Sequence, residues 1–141
     1  MSNQTLAEYM LAPYEYGWLG RFPGGPHLLF GQEVGLKIDT RLVPNAPPVL
    51  RPISDSQATL VRAITSALPD LIQRVEEELI KHSQKFDPKF QTYLRDPDVW
   101  LSSEHDDGVS WTFVVERTDS PDFGYHAEFR GTQFAELWAG D

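Results

Sequence analysis

The chain predicts an α+β fold: an antiparallel sheet of about five strands with two main helices packed on one face. Three observations carry that reading. Apolar and polar residues alternate through much of the last third, Trp100 to Trp138. Apolar residues recur at helical spacing between Leu60 and Phe86. A proline-rich stretch, Arg41 to Pro52, separates the helical section from an aromatic, glycine-containing opening.

The alternation is the clearest signal. Val109, Trp111, Phe113 and Val115 share one face, and after the turn Thr118-Asp119-Ser120-Pro121-Asp122 so do Phe123, Tyr125, Ala127 and Phe129. A period of two is what a strand needs when one face is buried and the other wet. The five-residue loop sets a register of Val115 with Tyr125, Phe113 with Ala127 and Trp111 with Phe129. On the wet face Val114 then meets His126, Thr112 meets Glu128 and Ser110 meets Arg130. An earlier hairpin turns at Glu104-His105-Asp106-Asp107-Gly108, where Asp-Gly favours a tight turn. Its register is open: one choice buries Val99 and Leu101, and a slip by one residue buries Trp100.

The other elements follow from local rules. Pro13 stops a short lead-in over residues 4–12, and strands occupy residues 14–39, interrupted at Pro23-Gly24-Gly25-Pro26. Val34, Leu36 and Ile38 lie on one face of the second strand or strand pair. Residues 41–53 form an extended connector, because Pro44, Pro47, Pro48 and Pro52 remove donors and forbid helix. Helices span residues 55–86. Ser54 or Asp55 caps the first, with Gln57 placed as in a capping box, and Leu60, Val61, Ile64 and Leu68 form its stripe. Pro69 opens a second helix with Leu71, Ile72, Val75, Leu79, Ile80 and Phe86 on its apolar side. Antiparallel strands fill residues 98–138, and Phe134 to Trp138 returns as an edge strand or short helix with Trp138 tucked in. One domain over residues 1–141 suits this length.

Composition excludes several classes of function. Twenty-one acidic against 12 basic side chains leave a net charge of −9. Such a surface repels nucleic-acid phosphates and anionic lipid headgroups, so neither nucleic acid nor membrane is an expected partner, and a basic protein or a cation fits better. The chain has no cysteine, so disulfides, thiolate metal sites and cysteine nucleophiles are excluded. There is no basic leader followed by an apolar run, and no apolar stretch of spanning length, which points to the cytoplasm. No phosphate loop or serine-hydrolase elbow is present, and no cofactor is implied.

Four groups of residues can carry chemistry. Within the turn, His105, Asp106 and Asp107 combine an imidazole with carboxylates, as a divalent cation requires, against the plainer reading of a solvated turn. Thr112, His126, Glu128 and Arg130 share a sheet face and form a polar patch. Such a patch is suited to acid–base work in a cleft or, more plainly, to cross-strand pairing. Glu76 and Glu77 lie on the helical section as an acidic docking strip or a solvated face. Tyr16, Trp18 and Trp100 belong to a surplus of large aromatics of the kind that anchors protein interfaces.

The helix pair over Gln57 to Phe86, followed by Phe129-Arg130-Gly131 and Trp138-Ala139-Gly140-Asp141, resembles small uncharacterised bacterial protein families, some of them immunity-protein-like. That resemblance covers the later two thirds of the chain, and it implies neutralisation of a toxin without catalysis. The sequence therefore points to a small, acidic, non-catalytic binding module that docks a protein. Two alternatives stand beside it. One is a metal-dependent or acid–base hydrolase using residues 104–107 or His126 and Glu128. The other is a structural subunit of a larger assembly.

Overall fold

The computed structural model describes residues 2–41, 51–102, 107–120 and 122–140. A 3-10 segment, Ser2–Tyr9, leads into β1 (Ala12–Tyr14), β2 (Gly17–Arg21), β3 (Leu28–Leu29), β4 (Gln32–Glu33) and β5 (Gly35–Asp39). Helix α1 (Asp55–Ser83) and a 3-10 turn (Phe90–Tyr93) precede β6 (Leu94–Leu101), β7 (Ser110–Arg117), β8 (Gly124–Arg130) and β9 (Gln133–Gly140). Seven strands form one sheet in the order β1-β2-β5-β6-β7-β8-β9, and β3 pairs with β4 apart from it. Most of the proline-rich connector lies outside the described residues.

The expected sheet of about five antiparallel strands is thus replaced by a seven-stranded mixed sheet. Three causes account for the difference. The aromatic opening folds back at Glu15-Tyr16 to give two strands in place of one, pairing Tyr14 with Gly17. A β-carbon at Gly17 would strike the Ile38 carbonyl, so glycine allows β2 to close against β5. The tail is a full strand, pairing His126 with Trp138 and Ala127 with Leu137. Finally, β5 and β6 run parallel, Leu36 beside Val99 and Ile38 beside Leu101, because α1 is the crossover between them.

The two expected helices are one helix of 29 residues that continues through Pro69. Proline in a helix interior costs about 3 kcal/mol, through a lost hydrogen bond and a ring clash. Here Pro69 lies on the exposed side of the helix. The buried stripe Val61, Ile64, Leu68, Leu71, Ile72, Val75 and Leu79 runs unbroken past it. At about 1.5–3 kcal/mol for each such side chain, burial outweighs the proline. The N-terminus is closed by the capping box read from sequence: Gln57 N–H donates to Ser54 Oγ and Ser54 N–H to Gln57 Oε1, both at 3.1 Å. Gln57 Nε2 also donates to the Asp39 carbonyl (2.9 Å), tying the helix start to the end of β5.

The β7–β8 register is the one the alternation dictates, from Ser110 with Arg130 to Val115 with Tyr125. Trp111, Phe113, Val115, Tyr125, Ala127 and Phe129 are buried in one cluster with the helix stripe, and Trp111 stacks on Phe129 at 4.5 Å. In the earlier hairpin Val99 and Leu101 take the buried side. Four expected core residues are not in it. Val109, Ile80 and Trp138 are about two-fifths exposed, and Phe86, beyond the helix end, is 86% exposed.

Because Pro69 is held in the helix by the core and not by local preference, Pro69→Ala restores a donor to Thr65 and relieves the ring. It should raise unfolding free energy by about 1–3 kcal/mol in urea titration. A loss of stability would show the ring to be making a contact that the backbone argument ignores.

Candidate functional site

Only one face of the large sheet is covered by α1. Cross-strand partners share a face, so the registers lay out the other face as three rows. Lys37, Trp100, Thr112, Glu128 and Glu136 make one. Gly35, Asp98, Val114, His126 and Trp138 make the next. Arg95, Glu116, Gly124 and Gly140 close it. Of the residues expected to form a polar patch, Thr112, His126 and Glu128 lie in these rows, beside Trp100 and Trp138 from neighbouring strands.

Within it, Glu128 is the organising acceptor. Thr112 Oγ1 donates to Glu128 Oε1 at 2.7 Å, and Trp138 Nε1 donates to Oε2 at 2.8 Å. The Trp138 ring lies flat on His126, centroids 3.8 Å apart and planes 6° apart. Burial lowers the His126 pKa, against the raising effects of the Gly140 backbone and Glu128, so the imidazole is neutral at neutral pH. Arg130 stands aside, bonded to Ser110 Oγ (3.2 Å) and close to Asp107 (3.6 Å). Thr112, Glu128, Trp138 and His126 therefore hold one another in place through hydrogen bonds and ring stacking.

Beside the patch lies a cleft of about 260 Å³ lined by Trp100, Val114, Glu116, Phe123, His126 and their neighbours. Trp100 Nε1 and His126 Nε2 are both buried without a hydrogen-bond partner among the described residues. An unsatisfied buried polar atom costs about 1–3 kcal/mol. Two in one cleft mark a place where an incoming group with matching donors and acceptors is favoured.

The remaining sequence candidates are dispersed. Tyr16, in the β1–β2 turn, lies under the Arg41 guanidinium at 4.0 Å, and Arg41 in turn pairs with buried Asp39 at 2.7 Å. Burial and the Asp39 carboxylate push the neighbouring Tyr14 hydroxyl up to about 12. Trp18 is half-buried and donates to the Arg51 carbonyl at 2.9 Å. Glu76 turns inward to accept from Phe30 N–H (2.8 Å), whereas exposed Glu77 accepts from Gln73 Nε2 (3.3 Å). The pair is not a continuous acidic strip. Asp107 is engaged by its own turn, accepting from Val109 N–H, Ser110 N–H and Ser110 Oγ at 2.7–2.9 Å. Those bonds hold its carboxyl well below the usual carboxylate range. His105 and Asp106 lie outside the described residues, and no group of three or more metal-ligating side chains occurs among the described ones.

Two residues that matter were not singled out from sequence. Arg117 is nearly enclosed and is bonded to Asp119 (2.7 Å), Tyr125 Oη (2.9 Å) and Asp87 (3.1 Å), closing the far end of the sheet. Asp98 lines a groove of about 400 Å³ with Arg21, Glu33, Lys37, Asp96 and Glu116. Desolvation raises its pKa to about 6, against the opposing pull of Lys37 3.6 Å away. Its signal was present in the alternation, which places Asp98 on the same face as Val114, but burial at that point depends on β5. A β-carbon at Gly35 would strike the Asp98 carboxylate, and this close approach is what dries it.

No protein-family model matches the chain, and neither a curated protein nor a solved structure is detectably similar to it. No helix among the described residues is long and apolar enough to cross a membrane.

The raised Asp98 pKa has a definite sign in stability. Protonated Asp98 is favoured in the fold. Its contribution is complete below the unfolded value near 3.8 and is lost as pH rises through about 6. Asp98→Asn removes that dependence. The unfolding free energy of the variant minus that of the wild type should grow by roughly 1–3 kcal/mol between about pH 4 and pH 7. Parallel denaturation curves across that range would contradict the buried assignment.

Proposed function

We propose that the protein is a non-catalytic binding module that docks a protein partner through the uncovered face of its sheet. One observation carries the reading. Among the described residues, Trp100, His126 and Trp138 lie on a face that no other element covers, and two of their polar atoms are buried but unsatisfied at a cleft. Fixed aromatic rings around an unfilled hydrogen-bonding position are the anatomy of an interface anchor. The patch is also preorganised, since Glu128 and the stacked rings already hold their rotamers, and less entropy is lost on binding.

The net charge of −9 favours a basic partner through long-range steering. The immunity-like resemblance supplies the sharpest version, an acidic protein that neutralises a basic toxin by occupying its surface. The cleft itself is of mixed charge, with Arg95 beside Glu116 at 3.2 Å. Charge accordingly governs the rate of encounter, and the rings govern the lifetime of the complex.

The test is direct. After the partner is isolated by crosslinking in the source cells, association is measured for wild type, Trp100→Ala and His126→Ala at two salt concentrations. Trp100→Ala should weaken binding at least tenfold, about 1.4 kcal/mol, and high salt should slow association without changing the order of the variants. Wild-type affinity in both folded variants would refute the proposed face.

A further inference from the structure

The two edges of the large sheet are unlike. β1 is three residues long and has Pro13, which carries no N–H, at its centre. β9 is eight residues long, with no proline and a single charge, Glu136. Among the described residues no strand pairs with its outer side. Natural edges are ordinarily blunted by proline, lysine or shortness, and a long bare edge is a template for another strand.

The parity of the hydrogen bonds shows which groups that edge presents. Gly131 N–H donates to the Val109 carbonyl at 2.6 Å, and Arg117 N–H donates to the Phe123 carbonyl at 3.2 Å. Odd-numbered residues of β7 are therefore the hydrogen-bonded partners of β8, and even-numbered ones are not. His126, opposite Val114, turns its main-chain groups away from β7 and toward Trp138 of β9. Trp138 consequently spends its N–H and C=O inside the sheet, whereas those of Leu137 and Ala139 point outward. A register shift between Glu128 and Phe129 leaves Ala135 as a bulge, so the flat part of the edge is Glu136 to Gly140.

We propose that this edge is a self-association site at which two copies of the chain pair antiparallel about Trp138, joining two seven-stranded sheets into one. In that register Leu137 lies opposite the partner's Ala139, and Ala139 opposite the partner's Leu137. Both are hydrogen-bonding positions, so every outward N–H and C=O of those residues finds a complement. Trp138 falls opposite the partner's Trp138 at a non-hydrogen-bonded position, where side chains approach most closely. Each indole already lies on His126 with Nε1 fixed by Glu128, so two ordered rings meet. Glu136 falls opposite the partner's Gly140, and no carboxylate opposes another. The stretch Leu137-Trp138-Ala139 is complementary to itself, which is what a two-fold interface requires. The remaining surface of Trp138, 40% exposed in the single chain, would be covered by this pairing.

Native mass measurement and light scattering of the purified wild type at tens of micromolar should give twice the chain mass, falling to the single mass on dilution. Ala139→Pro removes an outward N–H without touching the bonds to β8, and should give the single mass with an unchanged far-ultraviolet spectrum. Trp138→Ala should raise the dimer dissociation constant at least tenfold. Hydrogen exchange on the wild type alone tests the same register whether or not the variants fold: the Leu137 and Ala139 amides should be protected at high concentration and exposed at low. A wild type of single mass at every concentration, a dimer surviving both substitutions, or concentration-independent exchange at those two amides would each overturn the assignment.

Discussion

The contact between the apolar stripe of α1 and one side of the sheet is the constraint from which the remaining features follow. Val61, Ile64, Leu68, Val75 and Leu79 are buried against Leu36, Ile38, Val99, Phe113 and Ala127 in one cluster. A strand has only two faces, so committing one to the helix commits the other to solvent or to a partner. The same contact carries α1 past Pro69 as one helix. It also makes the β5–α1–β6 connection a crossover, and so places two parallel strands at the middle of an otherwise antiparallel sheet.

The uncovered face is organised by mutual pairing of its side chains. Glu128 binds Thr112 and Trp138 at once, and His126 is ordered by the ring stacked on it. Groups that hold each other in this way form a rigid surface. Arg117, with three hydrogen-bonding partners at the far end of the sheet, fixes the loops that frame the same cleft. Asp98 differs, because drying by a neighbouring strand raises its pKa despite the Lys37 ammonium that favours its charge.

Face and edge are distinct resources. The face carries rings and two unsatisfied polar atoms, which suits a partner's side chains, whereas the edge carries main-chain donors and acceptors, which suit a strand. Trp138 belongs to both, since its ring lies on the face and its neighbours' amides lie on the edge. Occupation of one is therefore expected to alter the geometry of the other.

Much of this was legible in the residues alone, and the boundary is a physical one. Alternation over Ser110–Arg130 dictated the β7–β8 register, because a slip of one residue would turn Trp111, Phe113 and Val115 to water. Ser54 and Gln57 dictated the helix cap, because the box closes within four residues. These are local or near-neighbour constraints. The passage of α1 through Pro69, the parallel alignment of β5 with β6, the inward turn of Glu76 to Phe30 N–H and the drying of Asp98 were not legible. Each depends on a group distant in sequence, and burial there overrides a local preference of a few kcal/mol. The chain alone determined the β7–β8 pairing and the cap of α1. Only the tertiary structure decided which face is covered and which edge is left bare, since that choice is made by the summed burial of residues far apart along the chain.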